Sequence, residues 1–349
     1  MFDPKSTVYK EELKKNIEGR ESLLHQLQGK TVVITGATGL IGSAMIDFLC
    51  VADEVLELNL SIYAAARNME VMEERFCGMQ VSLLKYDACR SITWDVPVDV
   101  ILQCAGNSGP KTIGDEPVET ILTNVLGIKN LAEYIKRINC DCRVVYLSTG
   151  EIYGTRDEED GTWYSEDGYY HVDILNPRSS YPSGKRAAET LCISYVTEYN
   201  MDIVIARLGH VYGPQFSPKD SRAFAQFFMD VISGEDIVMK SPGLQLRTYC
   251  YILDCITALL TIALKGNRGE AYNVSNRQSV VTIKALAAEI ASQSGRTIKF
   301  DKATGQEKAN YNAMTISALD AAKLEMLGWQ GRYSLEEGVK QTLLLLNQK

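Results

Sequence analysis

The chain has 349 residues, of which 46% are hydrophobic and 23% charged, and its formal net charge at pH 7 is −8. This length exceeds one ordinary domain, and the negative charge argues against a nucleic-acid partner, because neutralising phosphates requires clustered Lys and Arg. Nine cysteines without a CxxC pair and three widely spaced histidines argue against a disulfide framework and a metal centre.

The first segment, residues 1–29, is predicted to be a helical extension, with a polar, partly amphipathic helix over residues 7–28. It is charged throughout and lacks the apolar stretch of a secretion signal. No later part of the chain offers about 18 uninterrupted apolar residues. We therefore expect a cytoplasmic protein that does not contact a membrane.

Residues 30–212 alternate between short apolar strands and helical stretches. Strands are predicted at Thr31 to Thr35 and in "LNLSIYAAAR", "VSLLKYD", "DVILQCAG", "CRVVYLST" and "MDIVIARLG", with helices over 117–138 and 181–199. Such alternation is typical of a parallel sheet covered on both faces. The predicted fold class is α/β: a Rossmann-type doubly wound sheet in residues 30–212 and a smaller α/β substrate lobe in residues 213–349. The pattern leaves room for the chain to cross between the two lobes more than once.

Three glycines follow the first strand. In "TGATGLIG", Gly36, Gly39 and Gly42 stand between the strand and an expected helix. Glycine lets the backbone turn tightly and approach a pyrophosphate closely, while the helix N-terminus supplies N–H donors. This context predicts a dinucleotide-binding site.

Two residues at later strand ends bear on the choice of cofactor. Arg67 stands where an acidic residue normally binds the ribose of NAD, so NADP, whose 2′-phosphate suits an arginine, is an alternative to NAD. Asp87 follows the third strand and is expected either to accept from the adenine amino group or to cap a turn.

A tyrosine and a lysine in "YPSGK" lie one helical turn apart. Tyr181 and Lys185 therefore share a helix face, and an ammonium near a phenol favours the phenolate. Thr149 ends the strand "CRVVYLST", and ligands of parallel sheets bind at the carboxyl ends of strands. The three side chains together predict a site that removes a proton from an alcohol while hydride leaves the same carbon.

Five stretches in order, "TGATGLIG", "STGEIYG", "YPSGK", "RLGHVYGP" and "RTYCYILD", give a wider resemblance over about residues 30–345. The chain resembles an extended short-chain dehydrogenase/reductase of the NAD-dependent epimerase/dehydratase family. This resemblance implies a tightly held NAD, a sugar linked to a nucleoside diphosphate in the C-terminal lobe, and a reaction that begins by oxidation at sugar C4. The cofactor residues that it implies are Gly36, Thr38, Gly39, Leu40, Ile41, Gly42, Arg67, Asp87, Ala105, Tyr181 and Lys185.

The residues after Thr149 distinguish the reactions of the family. Dehydratases resemble Thr-Asp-Glu there, decarboxylases of UDP-glucuronate resemble Thr-Ser-Glu, and simple 4-epimerases usually lack the carboxylate, whereas this chain has Thr149, Gly150 and Glu151. "NPRSSYPSGKRAAE", which includes Arg178, also resembles the decarboxylases. The resemblance therefore favours UDP-glucuronate decarboxylation, with Tyr181 as base, Lys185 lowering its pKa, Thr149 on the C4 oxygen and Glu151 near the sugar ring.

Further ligands and partners follow from the same resemblance. Arg178, His210, Arg222 and Arg247 are the expected substrate residues, and His210 stands where the family motif has Asn. A homodimer formed through a four-helix bundle of the helices at 117–138 and 181–199 is expected. The alternatives are a 4-epimerase, a 4,6-dehydratase, an NADPH-dependent ketosugar reductase, and a non-enzymatic module that senses nucleotide sugars.

Overall fold

The structure is a computed structural model that describes residues 2–138, 141–157 and 161–347. The helices are α1 (Thr7–Ile17), α2 (Glu21–Leu24), α3 (Leu40–Leu56), α4 (Met69–Arg75), α5 (Pro110–Asp115), α6 (Pro117–Ile138), α7 (Ser180–Tyr199), α8 (Ala223–Ile232), α9 (Ile252–Lys265), α10 (Ile283–Ser294), α11 (Gly305–Ala309), α12 (Ala322–Glu325) and α13 (Leu335–Leu346). The strands are β1 (Thr31–Thr35), β2 (Ser61–Ala66), β3 (Ser82–Lys85), β4 (Val100–Gln103), β5 (Arg143–Thr149), β6 (Trp163–Tyr164), β7 (Asp202–Leu208), β8 (His210–Tyr212), β9 (Ile237–Met239), β10 (Leu246–Tyr251), β11 (Ala271–Val274), β12 (Val280–Thr282), β13 (Ile298–Phe300) and β14 (Ile316–Leu319).

The larger unit is a seven-stranded parallel sheet in the order β11-β7-β5-β4-β1-β2-β3. Alternate residues of its strands point to opposite faces and belong to two hydrophobic cores. Val32 and Ile34 pack with α3 and α9 on one face, and Val33 packs with α6 and α7 on the other. Burial on both faces explains the continuous apolar runs of the strands. The predicted α/β doubly wound fold is confirmed.

The smaller unit contains a second sheet in the order β12-β10-β14-β6, with β8 paired to β10, and a separate pair of β13 and β9. Two parts of the predicted lobe at 213–349 lie elsewhere, because α9 packs on α3 and β5 while β11 is an edge strand of the larger sheet. Conversely, β6 from the first 212 residues pairs with β14. The chain therefore crosses between the two units more than once.

The N-terminal extension is broken rather than one continuous helix. Gly19 has φ +77, which ends α1 before α2 begins. Tyr9, Leu13 and Ile17 recur at the spacing of one helix face and are buried where α1 packs against α3 and α9.

Within the described ranges, no helix is both long and apolar enough to cross a membrane. Eight cysteines in those ranges are free thiols. The same ranges contain no group of three or more His, Cys, Asp or Glu side chains arranged to hold a metal ion.

Candidate active site

The carboxyl ends of β1, β4, β5 and β7 open toward the smaller lobe. The order of the sheet changes direction at β1 and β4, which is where open α/β sheets leave a crevice for ligands. A cleft of about 840 Å³ extends from the end of β5 into the smaller lobe, a volume typical of small-molecule sites. It is lined by the predicted residues Thr149, Glu151, Arg178, Tyr181, His210, Arg222 and Arg247.

The glycine turn leaves no room for side chains. Gly36 has φ +63, and a Cβ there would lie 2.8 Å from the backbone nitrogen of Ala105 at the end of β4. A Cβ on Gly42 would lie 2.4 Å from the carbonyl oxygen of Gly36. Glycine is therefore required both for the turn and for the close packing of α3 on it.

The N-terminus of α3 presents backbone donors rather than side chains. Gly39 is the residue before the helix, no side chain caps that end, and its first turn has no acidic residue. Thr38 and Gly39 are exposed and Ile41 is partly buried, whereas Leu40 is buried in the core. Leu40 can thus contribute only its backbone. These features fit the pyrophosphate of a dinucleotide, which would be held by α3 amide groups.

The two residues predicted to contact the adenosine lie at strand ends as expected. Arg67 is exposed after β2 and has no hydrogen-bonding or ionic partner among the described residues. Asp87 accepts from the amide of Cys89 at 3.0 Å through one oxygen, and its other oxygen lies 3.5 Å from Nε of Arg90. The carboxylate of Asp87 therefore caps a turn, and its contact with the adenine amino group stays a prediction.

Thr149 and Tyr181 meet at the base of the cleft. The hydroxyl of Thr149 accepts from the amide of Glu151 at 3.2 Å, and its interaction with the Tyr181 phenol acts to lower the pKa of that phenol. Tyr181 lies in the first turn of α7 and is 8% exposed. Burial, followed by the Glu151 carboxylate, raises the pKa of Tyr181 to about 12.

Lys185 lies one turn further along α7, but its nitrogen points to the backbone of β5. Nζ donates to the carbonyl of Leu147 at 2.6 Å and lies 4.7 Å from the ring centre of Tyr146. Burial lowers the pKa of Lys185 to about 8. The larger influences on the phenol are its burial and Glu151, so a lowering of the Tyr181 pKa by Lys185 stays a prediction.

Glu151 and Arg178 form an ion pair beside the phenol. Nη2 of Arg178 lies 3.0 Å from both carboxylate oxygens, and Nε of Arg178 donates to the carbonyl of Asn310 at 3.3 Å. Gly150, between Thr149 and Glu151, packs against the buried Leu319, where an added Cβ would lie 2.9 Å from a methyl carbon. Any side chain at position 150 would therefore require Leu319 to shift.

Arg247 is a buried cation that pairs with no carboxylate in the part of the chain that the structure describes. The residue is 3% exposed, and its guanidinium donates to the carbonyls of Leu246 and Met314, each at 2.8 Å, and of Thr315 at 3.4 Å. Burial lowers the pKa of Arg247, since the charge is only partly compensated by neutral carbonyls. An anion in the cleft would supply the missing countercharge.

Arg222 differs from Arg247 in being held by a carboxylate. Its Nε and Nη2 donate to the two oxygens of Asp220 at 2.9 and 2.5 Å. His210 lies on the same wall, and its Nδ1 is buried without a hydrogen-bonding partner. Burial and the charges of Arg247 and Arg222 lower the pKa of His210 to about 3, so the ring is neutral at pH 7.

Several residues of the cleft carried no signal in the sequence. Asp220 and Asn310 lie in segments that match no motif, although Asp220 stands two residues before Arg222 and is its ion-pair partner. The spacing of an acidic and a basic residue in this way is common on ordinary protein surfaces. Only the meeting of the two lobes brings these side chains to one site.

Comparisons with known proteins agree with this geometry. The sequence model of the NAD dependent epimerase/dehydratase family matches residues 32–275. UDP-glucuronic acid decarboxylase 1 of Xenopus tropicalis is 28% identical over 92% of this chain and 73% of its own length. UDP-glucuronic acid decarboxylase 6 of Arabidopsis thaliana is 28% identical over 88% of this chain and 86% of its own length.

The fold also matches solved structures. UDP-glucuronic acid 4-epimerase of Bacillus cereus, crystallised with UDP-glucuronic acid and NAD, has a TM-score of 0.73 at 21% identity, covering 90% of this chain and 98% of its own. The epimerase Mth375 of Methanothermobacter thermautotrophicus has a TM-score of 0.78 at 18% identity, covering 94% and 95%. The chain belongs to the NAD dependent epimerase/dehydratase family, and the predicted resemblance, with NAD as the cofactor, is confirmed.

Proposed function

We propose that the chain decarboxylates UDP-glucuronate, after oxidation at sugar C4, to UDP-xylose or a 4-keto pentose. The observation that carries this proposal is Arg247, a buried guanidinium on the cleft wall that forms no ion pair with any carboxylate of the described residues. A carboxylate is the group that a guanidinium binds best, through paired charge-assisted hydrogen bonds. A neutral hexose would leave this charge uncompensated in the same position.

The curated relatives support the same reaction. Proteins named UDP-glucuronic acid decarboxylase match 88% or more of this chain at 26–28% identity. Their similarity extends through both the larger sheet and the smaller lobe.

In the proposed reaction, Tyr181 receives the proton of the C4 hydroxyl while Thr149 hydrogen-bonds the same oxygen. NAD, when bound through the glycine turn, supplies the hydride acceptor for C4. Because the pKa of Tyr181 is raised to about 12 in the protein alone, the phenol must first release its own proton to solvent before it can accept the one from C4, and a positive charge beside it would favour that release. Lys185, held at 2.6 Å from the Leu147 carbonyl, keeps an ammonium on the side of the site nearest Gly106 at the end of β4. That charge favours anionic groups in the space between β4 and β5.

Once C4 is a ketone, the C5 carboxylate belongs to a β-keto acid and leaves as carbon dioxide, and C5 then takes up a proton. Arg247 orients that carboxylate before the bond to C5 breaks. Glu151, neutralised by Arg178, lies between this point and Tyr181 and positions the sugar ring. Arg178 therefore acts through Glu151 instead of binding the substrate.

The rest of the substrate follows the cleft into the smaller lobe. Arg222 is partly exposed and offers a positive charge for the diphosphate, while Asp220 keeps its side chain in place. His210, a neutral ring with a free nitrogen, stands between Arg222 and Arg247 and offers a hydrogen bond to the substrate.

Two alternatives differ in their chemistry. A 4,6-dehydratase requires an acid for the departing C6 hydroxyl, and Gly150, packed against Leu319, provides none. A reductase would require NADPH, and Arg67 is the one feature that favours it. That enzyme would consume its cofactor stoichiometrically, whereas decarboxylation to UDP-xylose regenerates it.

The second copy of the chain is also part of this proposal. Helices α6 and α7 pack closely, with Gly184 so near Ile121 that an added Cβ would lie 3.1 Å from its Cα. Val118, Leu122 and Ile193 are among the exposed apolar residues of these helices. We propose that two copies pair through them in a four-helix bundle. A monomeric mass by light scattering at micromolar concentration would contradict it.

A proton NMR time course tests the reaction. The purified protein with UDP-glucuronate and NAD⁺ is expected to lose the glucuronate signals and gain those of UDP-xylose or a 4-keto pentose, with equimolar release of carbon dioxide. UDP-galacturonate would instead identify a 4-epimerase. Unchanged substrate, with turnover of a neutral nucleotide hexose, would contradict decarboxylation, and binding without any turnover would support a sensing module.

A further inference from the structure

We propose that the hydroxyl of Tyr9, in the N-terminal extension, positions the loop of residues 213–222 that carries Arg222 into the cleft. The family match begins at residue 32, so this extension lies outside it. The proposal rests on the proposed function only in assigning Arg222 to the diphosphate. Tyr9 itself does not line the cleft and would be a positioning residue.

Tyr9 hydrogen-bonds two parts of the molecule at once. It is completely buried, and its hydroxyl donates to a carboxylate oxygen of Asp47 at 3.2 Å. The same hydroxyl accepts from Nε2 of Gln215 at 2.8 Å. Asp47 lies on α3, whose first turn follows the glycine turn. Gln215 is the third residue of the loop. A single oxygen thus joins the dinucleotide helix to the substrate loop.

Asp47 is itself held in place. Nη2 of Arg75, at the end of α4, lies 2.5 Å from the same carboxylate oxygen that receives the Tyr9 proton. The carboxylate is therefore a fixed point of the larger unit. Gln215 gains its connection to that point only through Tyr9, because none of its side-chain hydrogen bonds within the described residues reaches Asp47 directly.

Arg222 stands only seven residues after Gln215, so a fixed position of Gln215 also restricts where the loop places Arg222 in the cleft. After Gln215, Phe216 packs against Phe224 and Phe228 in the smaller lobe. Asp220 and Arg222 then form the paired contact on the cleft wall. The amides of Asp220 and Arg222 bond within the loop, to Ser217 and Asp220 respectively. Loss of the bond at Gln215 would loosen one end of this segment.

Other contacts dock the extension independently of Tyr9. The phenol of Tyr333 bonds both Glu12 and Asn16 on α1, the latter at 2.6 Å. The guanidinium of Arg332 donates to the carbonyls of Lys15 at 2.6 Å and Glu18 at 2.7 Å. Removing the Tyr9 hydroxyl should therefore leave α1 in place, and Tyr333 offers a matched control.

The test is hydrogen–deuterium exchange of the full chain, comparing wild type with Tyr9→Phe and Tyr333→Phe. Both substitutions remove one phenolic oxygen from the interface of α1, a buried one in Tyr9 and a partly buried one in Tyr333. In Tyr9→Phe, peptides covering residues 215–222 are expected to exchange roughly threefold to tenfold faster, the change that corresponds to one net hydrogen bond. In Tyr333→Phe the same peptides should exchange as in wild type.

Turnover of UDP-glucuronate provides a second readout. Tyr9→Phe is expected to raise KM by a similar factor and to change kcat less than about twofold, because Arg222 binds substrate and does not react. Unchanged exchange of the loop in Tyr9→Phe, or equal acceleration in both variants, would overturn the proposal. A wild-type protein without decarboxylase activity would overturn only the proposed function, since the exchange comparison needs no ligand.

Discussion

Nη2 of Arg178 lies 3.0 Å from both carboxylate oxygens of Glu151, and the two charges act in opposite directions on the phenol of Tyr181. Both side chains are less than one-fifth exposed. The pair therefore sits at the boundary between a surface ion pair, which contributes little, and a buried one, whose disruption is costly.

A double-mutant cycle should detect this pair in the stability of the protein. Glu151→Gln and Arg178→Met each leave one partly buried partner uncompensated, and we expect a coupling free energy of about 1–2 kcal/mol in urea unfolding. The exposed pair of Lys10 and Glu54 is the control and should show coupling near zero. Equal coupling in both cycles would mean that the cleft screens Glu151 as fully as bulk water does.

Tyr181→Phe should abolish most of the activity without unfolding the protein. Removing the phenolic oxygen removes the proposed base, and turnover should fall roughly 100- to 10,000-fold. The control is Tyr195→Phe on the same helix, whose hydroxyl makes one hydrogen bond within the described residues, to Glu133 at 3.5 Å. Steady-state kinetics measures the loss of activity, and circular dichroism shows whether each variant is folded. Near-normal turnover of Tyr181→Phe would remove Tyr181 from the mechanism.

Arg247→Met should weaken the binding of acidic nucleotide sugars much more than that of neutral ones. Loss of a charged hydrogen-bonding partner should weaken binding of UDP-glucuronate by roughly tenfold to a hundredfold, with much less effect on UDP-glucose. Isothermal titration calorimetry on the NAD-loaded protein measures both affinities. Equal weakening for the two sugars would assign Arg247 to the diphosphate or to the cleft wall.

His210 should make stability depend on pH. Its pKa is lowered from 6.5 to about 3 by burial and by two arginines. Because the folded-state pKa lies below the unfolded value, the neutral ring adds stability that is complete above pH 6.5 and is lost as the pH falls towards 3.

Wild type should therefore lose up to about 2 kcal/mol relative to His210→Asn between pH 7 and pH 5. Asparagine is the residue of the family motif at this position and does not titrate. Urea unfolding of both proteins at the two pH values measures the difference. Parallel losses would show that His210 takes up its proton as readily in the folded as in the unfolded chain.

Gly36→Ala should impair both folding and NAD binding. A Cβ would stand 2.8 Å from a backbone nitrogen at φ +63, and we expect a cost of at least about 2 kcal/mol. Gly305→Ala, where no atom lies within 4 Å of the added carbon, is the control. Thermal unfolding with and without NAD measures the effect. An unchanged NAD affinity in Gly36→Ala would separate the turn from cofactor binding.

The main elements of the larger sheet were predictable because each depends on local pattern. Buried parallel strands require continuous apolar runs, and α6 and α7 begin and end within a residue of the predicted limits, 117–138 and 181–199. The glycine turn was predictable for the same reason, since φ and close packing at Gly36 admit no other residue. The N-terminal extension was less predictable, because its helical pattern continues from residue 7 to residue 28 whereas the helix itself is interrupted at Gly19.

The sequence by itself determined the family, the α/β class and the placement of Thr149, Tyr181 and Lys185 at strand and helix ends, because these depend on short segments. Only the tertiary structure decided the electrostatics. Burial raises the pKa of Tyr181, Lys185 turns to the Leu147 carbonyl, and Arg178 pairs with Glu151. It also decided which arginine stays unpaired and how Tyr9 meets Gln215, since these contacts join segments far apart in the chain and follow from the packing of whole elements.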